Sequence, residues 1–119
     1  MITFYGYKKC TTSQKGEKKL REKGIPYNFI DITTAPPTQE ELEQIIAQSG
    51  EPIKKFFNTS GQEYRAQNLK AKLPLMAEED MLPLLASSGR LIKRPIVTNG
   101  KMSTVGYKEE NFIATWMNE

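Results

Sequence analysis

The chain has 119 residues, 17 of them basic and 14 acidic for a net charge of +3, with one cysteine and no histidine. This length fits a single domain, 1–119, that buries a core without a disulfide or a metal. One thiol excludes an internal disulfide, the lack of histidine excludes a Cys-His nucleophile pair and an ordinary zinc site, and the mild charge argues against a dedicated nucleic-acid binder. The basic stretches Lys8 to Lys23 and Lys70 to Arg94 read as solvated faces, so no direct nucleic-acid contact is expected. With no N-terminal apolar signal and no long apolar run, the expected setting is the reducing cytoplasm, away from membranes.

In chain order, Ile2 to Tyr5 reads as a buried strand, Gly6 to Lys9 as a turn, and Thr11 to Lys23 as a helix stopped by Gly24. Ile25 to Ile32 reads as a second strand, with Pro26 at its start where a missing N–H does least harm. Two strands joined by a helix form a βαβ unit and pair in parallel. After a loop at Thr33 to Pro37, Thr38 and Glu41 form a capping box for a helix with an apolar stripe of Leu42, Ile45 and Ile46, ending near Gly50. Pro52 to Phe57 reads as a short helix, Asn58 to Gly61 as a turn, and Tyr64 to Leu73 as a helix with Leu69 and Leu73 inward.

Asp80 to Ser87 follows as a helix in which Asp80 is the N-cap, which places Pro83 in the first turn. Pro95 to Thr98, the Asn99-Gly100 pair and Lys101 to Val105 predict a hairpin closed by a type I′ turn. Lys108 to Met117 is the last helix, with Phe112, Ile113 and Trp116 on one side and Trp116 read as core. The order is βαβ, an all-helical middle, then ββα, with no repeat or linker to mark a second domain. It predicts an α/β, thioredoxin-like fold: a four-stranded mixed sheet built from residues 1–33 and 90–119, with a helical insertion over 38–88.

Cys10 stands at the junction of the first strand and the first helix, where unpaired N–H groups and the positive dipole end favour a thiolate. A lone cysteine is more often a small buried hydrophobe. Lys8, Lys9, Thr11, Thr12 and Ser13, however, make a polar and cationic setting that core cysteines seldom have. The expectation is an accessible Cys10 activated by backbone, lysine or arginine. The same amides would also accept a phosphate-like anion.

The Cys10-Thr11-Thr12-Ser13 turn, Asn58-Thr59, the Leu91-Ile92-Lys93-Arg94-Pro95-Ile96 segment and the Val105-Gly106-Tyr107 ending resemble the ArsC/Spx family over nearly the whole chain. That family comprises arsenate reductases, the redox-responsive transcription factor Spx and their relatives. The resemblance implies that Cys10 is the nucleophile and that Arg94 holds an oxyanion or a thiolate beside it. It implies a cis Pro95 that sets backbone polar groups opposite the sulfur. Read without the resemblance, Pro95 is an ordinary proline at a strand start and Arg94 a surface salt-bridge residue.

Two departures follow from the same resemblance. Glutathione-linked arsenate reductases place arginines where this chain has Ser60 and near Tyr107, and neither side chain supplies the forked charge that grips a tetrahedral oxyanion. Arg65 and Lys93 read as solvated charges rather than as substitutes. Spx carries a Cys-x-x-Cys switch where Ser13 stands here, and its positions for the RNA polymerase α-subunit tail correspond to Pro52 and Ser60.

The leading expectation is a thiol-dependent oxidoreductase. Cys10 thiolate, held by the N–H groups of Thr12 and Ser13 and the charges of Lys9 and Arg94, attacks an oxidised substrate or mixed disulfide. An external thiol, glutathione or bacillithiol, or a glutaredoxin then releases it. Thr11 and Pro95 complete the substrate- and thiolate-binding set, Ser13 is either a sulfur hydrogen-bond donor or simply a first-turn residue, and a monomer with no bound cofactor and no metal is expected. The alternative is an Spx-like regulatory module that binds a protein, RNA polymerase in particular, with Cys10 at most a sensor by glutathionylation. Ile53, Phe56 or Phe57 would then form the interface, although packing of the insertion onto the sheet is the simpler role for them.

Overall fold

In the computed structural model, which describes residues 1–117, Ile2–Gly6 (β1) carries Phe4 and Tyr5 on opposite faces, both buried, and so occupies the sheet interior. Asn118 and Glu119, at the end of the expected domain, lie outside the described residues. β1 pairs in parallel with Tyr27–Asp31 (β2) and antiparallel with Ile96–Thr98 (β3), which pairs antiparallel with Ser103–Val105 (β4). The order β2-β1-β3-β4 is the expected mixed sheet of a thioredoxin-like fold.

On one face, Thr11–Glu22 (α1) and Glu109–Trp116 (α6) bring Leu20 and Phe112 onto Phe4 and Val97. Each such side chain, fully withdrawn from water, contributes about 1.5–3 kcal/mol. On the other face, Tyr5 and Ile96 meet Ile32 and the helices between β2 and β3: Gln39–Ser49 (α2), Gln62–Ala66 (α3), Leu69–Lys72 (α4) and Glu78–Ala86 (α5). The capping box closes in both directions at the start of α2. Ile53, Phe56 and Phe57 are all buried in this second core, the first two in a 3₁₀ turn, and so form no apolar interface of their own. Trp116 is half-buried against the first cluster and donates its indole N–H to Thr104 Oγ1 at 3.0 Å, sealing a rim rather than filling the interior.

Four local expectations are corrected. β2 starts at Tyr27, so Pro26 precedes it. The helix expected over Tyr64 to Leu73 breaks at Asn68, which takes the left-handed conformation (φ 54°) that asparagine tolerates better than most residues. α5 starts after Ala77 instead of Asp80, which leaves Pro83 inside the helix. The earlier start puts Met81 and Leu85 on one buried stripe and three acidic residues at the positive end of the dipole, while Pro83 itself is exposed.

The hairpin is present, but its loop is four residues long because β4 starts at Ser103. Gly100 alone has positive φ there, and Asn99 Oδ1 accepts the N–H groups of Lys101 and Met102, both at 2.8 Å. The asparagine side chain therefore organises the turn in place of the type I′ backbone.

Candidate active site

The site forms where β1 delivers the chain to α1. Cys10 is the N-cap of α1, with extended backbone (φ −88°, ψ 122°), and its N–H donates to Tyr7 O at 2.9 Å to close the preceding turn. The buried positions Ser13, Gly16, Glu17 and Leu20 define the inward stripe of α1 and aim its start at the end of β1. Ser13 is fully buried, and its Oγ accepts the Tyr7 N–H at 3.1 Å, which leaves the hydroxyl proton for the sulfur.

Cys10 is half-buried. Burial alone pushes the thiol up, but the Ser13 N–H, the Ser13 hydroxyl, the Thr12 N–H and the Arg94 charge outweigh it and leave the thiol below its ordinary value. None of these groups closes a well-aligned cap on the sulfur in this conformation, so the stabilisation is that of dipoles and charge around an open thiol.

Arg94 and Pro95 come from the segment ahead of β3, more than eighty residues along the chain from Cys10. The Arg94–Pro95 bond is cis. Pro95 is buried near α1, and its carbonyl accepts the Gly106 N–H at 2.8 Å. The Arg94 guanidinium lies 5.5 Å from the centre of the Tyr7 ring. It also helps hold the Asp31 carboxyl below the usual carboxylate range, after the larger effect of hydrogen bonds from the Thr33 hydroxyl and N–H.

Cys10, Thr12 and Arg94 line one cleft of about 470 Å³, together with Lys9, Lys93 and Ser60. Lys9 shares the cleft but is not among the groups that lower the thiol, and Thr11 is exposed on the first turn of α1 away from it. Arg65 does not line the cleft. Tyr107 is also elsewhere: its ring packs on Phe112 at 5.0 Å, beside Lys19 and Glu109. Pro52 is exposed at the N-cap of the 3₁₀ turn.

Several contributors escape a reading of the sequence. Tyr7 and Phe57 wall the cleft, and Asn58 is locked there by its N–H to Leu91 O at 2.7 Å beside the Phe57–Ile92 bridge. Glu17 is buried yet charged, accepting Lys8 Nζ at 2.9 Å and the Tyr27 hydroxyl at 2.8 Å. Its spacing of three from Leu20 was the available signal, since i and i+3 share a helix face. Among the described residues no group of three or more acidic, cysteine or histidine side chains is placed to hold a metal, and no helix is long and apolar enough to cross a membrane.

The chain is similar to known proteins over nearly its whole length. YusI of Bacillus subtilis is 51% identical over 115 residues, spanning 97% of this chain and 98% of its own. The crystal structure of a possible arsenate reductase from Streptococcus mutans is 40% identical, with a TM-score of 0.84 over 93% of this chain and 96% of its own. The global transcriptional regulator Spx of Staphylococcus aureus is 28% identical over 111 residues, spanning 92% of this chain and 82% of its own. The sequence pattern described as the ArsC family matches residues 5–115, and the chain belongs to the ArsC family.

Proposed function

We propose that this protein is a monothiol oxidoreductase whose nucleophile is Cys10. The observation that carries the reading is the convergence of the Ser13 and Thr12 amides, the Ser13 hydroxyl and Arg94 on one half-buried sulfur. The Cys10 thiolate attacks a disulfide R–S–S–R′, forming Cys10–S–S–R and expelling R′–S⁻, which takes a proton from water. A second thiolate, from glutathione, bacillithiol or a glutaredoxin, attacks the mixed disulfide, forms its own disulfide with R and returns Cys10 as thiolate. The net step exchanges one disulfide for another and releases R′ as thiol; release of R as well takes a second equivalent of external thiol, or the second thiol of a glutaredoxin, because the chain has one sulfur nucleophile. Thr12 and Ser13 hold the thiolate, Lys9 attracts anions to the cleft, and Thr11 and Pro95 complete the turn and the facing backbone. Arsenate is a poor fit, because Ser60 brings no charge to the cleft and Tyr107 does not reach it.

The test is alkylation of the intact protein by iodoacetamide across pH, read by mass, followed by turnover of a glutathione mixed disulfide. The expected result is a midpoint below that of a free thiol and turnover abolished by Cys10→Ser. Unchanged turnover in that variant sinks the mechanism.

A regulatory role is the second reading, supported by the similarity to Spx. With a single cysteine it would act without an intramolecular disulfide switch. Stoichiometric recovery of RNA polymerase with the tagged protein, together with an inert thiol, would select it.

A further inference from the structure

The Cys10 cleft does not end at Arg94. A second depression of about 460 Å³ adjoins it, shares Asn58 and Arg94 as lining, and continues to Arg90 and Glu63. The combined groove thus runs from the sulfur past Lys9, Lys93 and Arg94 to Arg90. None of these four cations has a carboxylate within ion-pair distance among the described residues. The one acid in the lining, Glu63, is engaged at both oxygens, accepting the Ser88 hydroxyl at 2.8 Å and the Gln67 amide at 3.5 Å. The hydrogen bonds to Glu63 come from neutral donors and leave its charge in place, so the lining sets four cations against one carboxylate and the groove is net positive.

The backbone at Arg90 is held in place. Gly89 packs so closely on the chain after β2 that a Cβ there would sit 1.7 Å from Ile32 O. Ser88 caps the 3₁₀ turn by accepting the Arg90 N–H, and the Asn58 amide donates toward Arg90 O at 3.4 Å. The anchored turn fixes the point from which the exposed Arg90 side chain extends, within reach of a carboxylate that arrives along the groove.

We infer that the groove selects a small disulfide whose thiol half carries carboxylates, with Arg94 receiving the end near the sulfur and Arg90 acting as the remote specificity determinant. The inference rests on the thiol chemistry proposed for Cys10. The size of the two depressions suits a peptide-sized thiol. In the step concerned, Cys10–S⁻ attacks the symmetrical disulfide, one half stays on Cys10 as a mixed disulfide, and the other leaves as its thiolate.

The experiment compares the intact protein, Arg90→Gln and the Cys10→Ser blank. Initial rates of mixed-disulfide formation are read by mass with glutathione disulfide (anionic halves), cystamine (cationic halves) and bis(2-hydroxyethyl) disulfide (neutral halves). Iodoacetamide, too short to reach Arg90, reports the intrinsic reactivity of the sulfur. The expected result is a preference for glutathione disulfide over cystamine that salt weakens, and a loss in Arg90→Gln of about threefold with glutathione disulfide only. Unaltered iodoacetamide and neutral-disulfide rates in that variant separate loss of the anchor from misfolding. A Cys10 that reacts with all three disulfides without charge preference, or a preference that Arg90→Gln leaves intact, overturns the inference while the thiol chemistry stands. A Cys10 inert to iodoacetamide and to every disulfide overturns both.

Discussion

Ser13 Oγ accepts the Tyr7 N–H at 3.1 Å, so a fully buried hydroxyl ties the turn before Cys10 to the helix after it. Ser13→Ala removes both that acceptor and the hydroxyl next to the sulfur. The thiol midpoint rises, because one of the groups favouring the thiolate is lost, and the stranded Tyr7 N–H costs about 1–3 kcal/mol. Alkylation against pH and urea unfolding read the two effects separately. A lower midpoint in the variant would contradict the assigned role of the hydroxyl.

The depressed Cys10 thiol makes stability depend on pH. Its folded value lies below the unfolded one of about 8.5, so across that interval the unfolded chain binds more protons. The stabilisation is complete above the unfolded value and is lost as pH falls through the folded value. The melting-temperature advantage of the native protein over Cys10→Ser should therefore grow as pH is raised towards about 8.5 and level off beyond it. A difference that shrinks with rising pH contradicts a stabilised thiolate.

Glu17 is 3% exposed and collects Lys8, Arg21 and the Tyr27 hydroxyl. Glu17→Ala strands the Tyr27 hydroxyl and releases Lys8 from α1, with an expected loss of about 1–3 kcal/mol in denaturant unfolding. Lys8→Met should cost less, about 0–1 kcal/mol, because the Lys8 side chain is 65% exposed. Equal losses in the two variants would mean that the carboxylate is not the hub of the network.

Gly89→Ala tests the fit between the Arg90 turn and the loop after β2. A methyl group 1.7 Å from Ile32 O has to displace backbone rather than a flexible side chain, with an expected cost of about 3 kcal/mol. Thermal unfolding measures it. A variant as stable as the native protein would show that the turn can move, and Arg90 with it.

Much of the fold was legible because it is written in short-range pattern. The four strands, α1, α2 with its capping box and the hairpin all follow from alternation, 3.6-residue spacing and end signals, and the structure agrees in kind. The misplaced details have two causes. The Asn68 break and the interior Pro83 depart from the helical pattern where burial of Leu69, Met81 and Leu85 decides the matter, whereas the four-residue hairpin loop is set locally by the Asn99 side chain. A local preference is worth at most about 1–3 kcal/mol per residue, and tertiary packing readily exceeds it.

The candidate site divides along the same line. The sequence by itself determined that Cys10 would lie at a helix N-terminus with Thr12 and Ser13 in its first turn, since strand, turn and helix are contiguous in the chain. Only the tertiary structure decided what stands around that thiol: Arg94 and Asn58 in the same cleft, Arg90 at its far end, and Tyr107 on another part of the surface. Those placements depend on how β3 and the helical segment pack against β1 and α1. Such contacts join residues distant in the chain through burial and backbone pairing, for which local spacing carries no signal.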